Sequence, residues 1–473
     1  MKKRVLLTSC FALLAGCAAC VAVAFFPRPR LPAPPEEPPD SLWQGFSYDG
    51  QYAIEVDQPE ALVDQEIAIR VTGLLPGQPV TLRLRSDFGE GRVLESFAVY
   101  EAGAGGMVDV PVAVPLYGSY SGSDSMGLFW SMRRLPVESV QPAGMLTETI
   151  TAIDYTLSAE TQGKVLASTG VRRVFVDEAA VVRQPVRDGR LVGTLFYPVT
   201  DAPRPTVICL GGSEGGLSEG TAALLASHGY TALALAYFGY ETLPPELVEI
   251  PLEYFAEAIA WLKTQPAVDP ARMAVLGGSK GAELALLLGA TYPQDIRAVV
   301  AYKPSSVVWM GISTRPENYS QGPRSSWSSS GVGIPFANGG FTLNMVGLVT
   351  GREIALRSWY QAGLESGGAV SAVIPVEKID GPVLLVSGVD DQMWPSTEMG
   401  DAVMKRLRAN GHPYEDIHLV YDQAGHSIYI PYLPVQTQEG NMLFGGTPEA
   451  SARASADSWP RVLHFLDTAF VDR

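Results

Sequence analysis

Residues 273–290 read MAVLGGSKGAELALLLGA. The stretch opens as an apolar strand, turns through Gly277-Gly278-Ser279-Lys280-Gly281, and continues as an apolar helix. A Gly-x-Ser-x-Gly turn between a strand and a helix is a nucleophile elbow. Such a turn is strained and tolerates only small neighbours, which Gly277 and Gly281 supply. The N-terminus of the following helix also favours negative charge developing beside the serine. The five residues alone would also fit an ordinary Gly-Ser turn; the strand before and the helix after favour the catalytic reading.

A serine hydroxyl is a poor nucleophile near neutral pH, so a base and an orienting acid must follow, in this fold in the order Ser, Asp/Glu, His. After the apolar run PVLLVSG (382–388) come Val389, Asp390 and Asp391, and after IHLVY (417–421) comes Gln423-Ala424-Gly425-His426. Among five histidines, His426 alone stands in a Gly-His step just past a strand, and it is the expected base. His228, before Gly229, is expected to cap a helix end. His412 falls in a polar loop, His418 within a strand and His464 in the C-terminal helix. Only one of two adjacent aspartates can face the imidazole; the Gly-x-x-Asp spacing selects Asp391 and leaves Asp390 to cap the turn. The oxyanion hole needs two backbone N–H groups. Lys280 supplies one, and Gly212 or Ser213 the other, from LGGSEGG (210–216) behind the strand TVICL (206–210). A phosphate-binding loop is the rival reading there, but the G-x-G-x-x-G spacing is absent.

Outward from the elbow, TVICL, TALALAY (231–237), MAVLGG (273–278), AVVAY (298–302) and PVLLVSG alternate with helical segments. That is the pattern of an α/β fold with a mostly parallel sheet. Earlier, IAIRVTG (67–73), VTLRLRS (80–86) and MVDVPVAV (107–114) alternate between turns, as in an Ig-like antiparallel β-sandwich. The expected organisation is a leader at 1–26, a Pro-rich linker at 27–42, a sandwich at 43–185 and an α/β-hydrolase domain at 186–473. The segment from Pro304 to Met345, with Trp309, Met310, Trp327, Phe336 and Phe341, reads as an excursion that lines an acyl pocket, forms a lid or packs as a structural loop.

Fifty acidic against 34 basic residues give a formal charge of −16, which argues against nucleic acid or an anionic membrane surface as a general partner. Cys10, Cys17 and Cys20 lie in the leader, so Cys209 is alone in the body and no internal disulfide can form there. No Cys/His cluster has zinc spacing, and neither metal nor cofactor is expected. Lys2, Lys3 and Arg4 precede an apolar run, Val5 to Phe26, that is long enough to span a bilayer. Three fates are open: an uncleaved anchor, cleavage after Ala22-Val23-Ala24, or lipidation at Cys17, where Leu14-Ala15-Gly16-Cys17 resembles a bacterial lipobox. Residues 27–40, PRPRLPAPPEEPPD, favour extended polyproline and read as a spacer. The expected location is the extracytoplasmic face of the cell envelope, with membrane association through the N-terminus.

From about Glu60 onward the chain resembles the acyl-CoA thioesterase and bile acid-CoA:amino acid N-acyltransferase family. The likeness lies in VTGLLPGQPVTLR (71–83), MGLFWSM (126–132), GYTALALAYFGYETLP (229–244), LEYFAEAIAWL (252–262), the elbow GGSKGAELALL (277–287), GVDDQMWPS (388–396) and AGHSIYIPYLP (424–434). The resemblance implies a sandwich ahead of a dienelactone-hydrolase-like catalytic domain, with nucleophile, acid and base at Ser279, Asp391 and His426. It implies a coenzyme A thioester as substrate, and serine in place of cysteine implies hydrolysis rather than transfer to an amino acid. The leader departs from the family, whose familiar members act where coenzyme A is. A carboxylesterase on extracytoplasmic oxygen esters, and a non-catalytic surface binding module, are the competing readings. Arg352 and Arg357 are a candidate cluster for the coenzyme's phosphates, and the oligomeric state is left open.

Overall fold

Strands buried on both faces read as unbroken apolar runs. Thr231–Ala236 and Val383–Gly388 are buried at every position and lie inside an eight-stranded sheet. Its strands are β1 (Val181–Asp188), β2 (Leu191–Pro198), β3 (Arg204–Leu210), β4 (Thr231–Ala236), β5 (Val268–Gly278), β6 (Ala298–Tyr302), β7 (Val383–Gly388) and β8 (Ile417–Tyr421). They lie in the order β1-β2-β4-β3-β5-β6-β7-β8. The pairs β1–β2 and β2–β4 are antiparallel and the rest parallel. Strand order reverses around β3, so the loops after β3 and β5 open a crevice at the carboxyl ends of the strands. The structure is a computed structural model that describes residues 37–470 apart from 89–91, 136–149, 314, 316, 317, 319, 321 and 340–352. Cys17 and the leader, the linker up to residue 36, Phe341, Met345 and Arg352 lie outside the described residues.

The helices that bear on the site are α1 (Gly220–Ser227) after β3, α2 (Leu252–Leu262) after β4, α3 (Lys280–Thr291) after β5, α4 (Ser396–Ala409) after β7 and α5 (Pro448–Ala469) after β8. Helix α3 is buried from Lys280 through Ala290, and its sequence is apolar on all sides save for Lys280 and Glu283.

Ahead of β1 stand two further sheets. One joins Ala53–Val56, Ile69–Thr72 and Val108–Asp109; the other is built on Lys164–Val174, Ile153–Thr161, Pro79–Asp87 and Val93–Glu101. Ile69 and Val71 of the first share one buried core with Leu82, Leu84, Tyr100 and Leu157 of the second. Three details differ from the sequence reading. Glu60–Leu62 runs parallel to Lys164–Val174, so the pairing is not wholly antiparallel. Of residues 107–114 only Val108–Asp109 is a strand: Pro111 has no N–H to continue the ladder, and Val112 and Val114 are left exposed. The expected junction at 185/186 falls inside β1, which pairs along its whole length with β2.

The sandwich core continues into Leu224 and Leu225 of α1 and Trp459 and Val462 of α5. Asp64 stitches this joint, accepting the Trp459 Nε1–H at 2.7 Å and pairing with the His228 ring. His228 is the C-cap of α1, its backbone N–H donating to the Leu224 and Leu225 carbonyls at 3.1 Å, and its ring reaches on to the sandwich.

Candidate active site

Strand β5 ends at Gly278 and α3 begins at Lys280, so the whole change of direction falls on Ser279, with φ 55° and ψ −121°. A non-glycine residue in that region costs about 1–3 kcal/mol and persists only where its surroundings over-determine it. Here the Ser279 N–H donates to the Tyr302 carbonyl at 2.9 Å, and the Ser279 carbonyl accepts from the amides of Ala282 and Glu283 at 2.9 and 3.1 Å. The flanking glycines are dictated by contact. A Cβ on Gly277 would stand 2.1 Å from the Gly281 carbonyl oxygen, and one on Gly281 would stand 2.3 Å from that of Gly211.

The structure brings Ser279, His426 and Asp391 together. His426 Nε2 lies 3.0 Å from Ser279 Oγ, and Nδ1 lies 2.8 Å from Asp391 Oδ2. Asp391 is fully buried; its Oδ1 accepts the amides of Met393 and Trp394, and its Oδ2 accepts the Ser396 hydroxyl at 2.7 Å. An ionised carboxylate only accepts, so the network assigns the proton to Nδ1 and turns the Nε2 lone pair toward the serine. Asp390 faces away and holds the turn: it accepts the Gly446 N–H at 3.0 Å and the Gln392 side-chain amide at 2.6 Å.

Two supports of this arrangement carry no sequence motif. The Phe444 carbonyl accepts the amides of both His426 (2.9 Å) and Gln392 (3.2 Å), tying the base loop to the acid loop. Arg357 donates from Nη1 to the Asp391 carbonyl at 2.8 Å and pairs through Nη2 with Glu398. Its guanidinium thus holds the acid loop, which corrects its expected place in a phosphate cluster. The adjacent Gly445-Gly446, which let that turn approach Asp390 and Gly425, were the sequence signal for this clamp.

On the other side of the elbow, Lys280 Nζ and Glu283 Oε2 pair at 2.5 Å, both buried. Burial pulls the lysine pKa down and pushes the glutamate up, each opposed by its partner's charge. Glu283 Oε1 accepts the Trp327 indole N–H at 2.7 Å and the Trp309 amide at 3.2 Å. Both tryptophans of the excursion are therefore buried against α3 as packed structure. Trp394, Tyr360, Trp359 and Trp309 continue as an aromatic run away from His426, whose ring lies 6.0 Å from that of Trp394. Lys303, at φ 52°, is also buried; its Nζ donates to the Ile428 carbonyl at 2.9 Å and lies 4.8 Å from the centre of the Tyr429 ring. Burial lowers its pKa to about 8, against the pull of Asp391 and Glu214.

Of the expected oxyanion donors, Lys280 is the first residue of α3, where an N–H has no acceptor within the helix. The Gly212 N–H is engaged: it donates to Glu214 Oε1 at 2.6 Å. Ser213 is exposed on the same loop. Tyr237 Oη fixes the loop by donating to the Gly211 carbonyl at 2.6 Å.

Two family models match in order along the chain. The acyl-CoA thioester hydrolase/BAAT N-terminal region covers residues 64–188, and the BAAT/acyl-CoA thioester hydrolase C terminal covers 250–472. Acyl-coenzyme A thioesterase 6 of Mus musculus is 35% identical over 418 residues, spanning 85% of this chain and 93% of that protein. Acyl-coenzyme A thioesterase 1 of Homo sapiens is 32% identical over 422 residues, with the same 85% and 93% coverage. Among solved structures, the Pyrococcus horikoshii acylaminoacyl peptidase is similar at a TM-score of 0.40 and 12% identity, over 86% of this chain and 59% of that one. With both models matched and about a third of residues shared along nearly the full length of these thioesterases, the chain belongs to the acyl-CoA thioester hydrolase/BAAT family.

Proposed function

We propose that the chain hydrolyses acyl thioesters of the coenzyme A type through an acyl-enzyme on Ser279. The observation that carries this reading is the relay from Ser279 Oγ through His426 to Asp391, at 3.0 and 2.8 Å. His426 Nε2 takes the hydroxyl proton as Oγ attacks the carbonyl carbon, and Asp391 holds the Nδ1–H and stabilises the imidazolium. The Lys280 N–H stabilises the oxyanion, and the imidazolium returns its proton to the departing thiolate. Water, activated by the same imidazole, then releases the acid. Acyl oxygen esters on serine react less readily with amines than thioesters on cysteine, which favours water as acceptor. Trp359 and Tyr360, partly exposed in the aromatic run next to Trp394, offer an apolar wall for the acyl chain.

The test is release of free thiol from acyl-CoAs of graded length by the purified full chain, beside release of phenol from matched aryl esters, with Ser279→Ala as control. Preference for thioesters is expected. Activity on aryl esters alone would favour the second reading, a carboxylesterase, and a fully active Ser279→Ala would remove the nucleophile.

That second reading draws on the leader, as does the proposed location at the extracytoplasmic face of a membrane. Lys2, Lys3 and Arg4 ahead of an apolar run support an N-terminal anchor, with Cys17 the candidate lipid attachment site. Among the described residues no helix is long and apolar enough to cross a membrane. Cell fractionation with lipid labelling of wild type and Cys17→Ser tests the anchor; a wild-type chain found only in the soluble fraction would refute it.

A further inference from the structure

The Gly212 N–H, the second backbone donor that the fold offers to an oxyanion, is held by a carboxylate. We propose that Glu214 is a displaceable latch on this donor, gating acylation and competing with the product acid. The inference rests on Ser279 being the nucleophile.

Glu214 Oε1 accepts the Gly212 N–H at 2.6 Å. A Cβ on Gly212 would stand 2.7 Å from Glu214 Oε2 and 3.2 Å from the carbonyl oxygen of Gly278, so the carboxylate lies on the loop face that meets the elbow. A carboxylate oxygen, like a tetrahedral oxyanion, is an anionic acceptor, and both make short charge-assisted bonds to a backbone N–H. One amide proton cannot serve both fully. The amide itself is fixed, since Tyr237 Oη holds the Gly211 carbonyl and Gly281 packs on the same peptide. The moving part is the glutamate, which is exposed and, among the described residues, makes no ion pair.

There is also room for it to go. Glu214 lines a cleft of about 530 Å³ together with Arg183, Arg187, Thr194 and Tyr240. Displaced there, the carboxylate would meet the edges of two guanidinium groups already engaged by Glu219 and Glu241. Lys303 Nζ lies 3.3 Å from where a Cβ on Gly278 would stand, and the Glu214 charge acts on it alongside that of Asp391.

The test uses the full chain as wild type, Glu214→Ala and Glu214→Gln. Three quantities are read: the second-order rate at which a small fluorophosphonate modifies Ser279, the inhibition constant of a free carboxylic acid product, and the melting temperature. Glu214→Ala is expected to react about tenfold faster, the scale of one charge-assisted hydrogen bond no longer to be broken. The product acid should bind more tightly by a similar factor, with Glu214→Gln between and the melting temperature lowered by no more than about 2 °C, the share of one such bond in a chain of this length. A merely structural turn contact would move the melting temperature and leave the inhibition constant alone. An unchanged or slower reaction of a folded Glu214→Ala, or an unchanged inhibition constant, overturns the latch. If neither wild type nor variant is modified at Ser279, the nucleophile assignment itself falls, and the latch with it.

Discussion

Lys280 and Glu283, one helical turn apart behind the nucleophile, form a 2.5 Å ion pair with no more than 2% of either side chain exposed. Removing one member of such a pair strands the other charge in a low-dielectric interior, a loss of about 3–5 kcal/mol. Glu283 also holds Trp309 and Trp327, so Glu283→Ala should fall at the upper end and loosen the packing of the excursion on α3. Replacing both partners by apolar residues, as in Lys280→Met with Glu283→Leu, should cost less than Glu283→Ala alone. Urea unfolding of wild type and the two variants decides it: a Glu283→Ala loss below about 1 kcal/mol would mean the pair is no stronger than a surface one.

Asp391→Asn should leave the fold intact and lower kcat by about 10⁴. The asparagine amide has one oxygen and cannot accept all four donors now gathered on the carboxylate, from Met393, Trp394, Ser396 and His426 Nδ1. The ring is then free to take the tautomer that presents N–H to Ser279. Thiol release, with circular dichroism to check folding, measures it, and a variant within about tenfold of wild type would free Asp391 of the orienting role.

Much of the architecture was legible because it rests on side-chain chemistry that repeats along the chain. Strands such as Ala298–Tyr302 show as apolar runs, and the elbow shows because only glycine fits where Gly277 meets Gly281. The spacing that chose Asp391 over Asp390 matches the geometry because the turn from Gly388 aims only one side chain at the imidazole. What stayed hidden is mostly backbone. The Phe444 carbonyl that joins the loops of His426 and Gln392 would be the same atom on any residue. The engagement of the Gly212 N–H by Glu214 likewise depends on a side-chain rotamer. Contacts across long stretches of chain, such as Asp64 with His228 and Trp459, leave no local pattern, so the sequence showed the helix cap at His228 and not the partner of its ring.

The clamp at Phe444–Gly446 predicts a distant effect on rate. Gly445 has φ +77°, and a Cβ there would stand 2.0 Å from the Asp390 carbonyl oxygen. Gly445→Ala must therefore push the acid loop and the base loop apart without touching substrate. Misplacing catalytic groups by about 1 Å costs roughly 10² in rate. The expected result is a kcat lower by about that factor at near-normal KM; a rise in KM with kcat preserved would show that the turn shapes binding instead.

Lys303 makes a prediction about pH. Its pKa is lowered from 10.5 to about 8, chiefly by burial. Between those two values the unfolded chain binds a proton that the folded chain has released. Stability therefore rises with pH across that window, and the lysine's penalty is present in full below pH 8. In Lys303→Met the penalty disappears, while the loss of the bond to the Ile428 carbonyl and the left-handed backbone at φ 52° contribute equally at every pH. The difference in unfolding free energy between variant and wild type should thus favour the variant more at pH 7 than at about pH 9.5, by an amount that urea titrations at the two pH values can resolve. A difference that does not change with pH would mean that the folded and unfolded chains hold this proton equally well, and that the ring of Tyr429, the Ile428 carbonyl and the nearby carboxylates replace the solvation that burial removes.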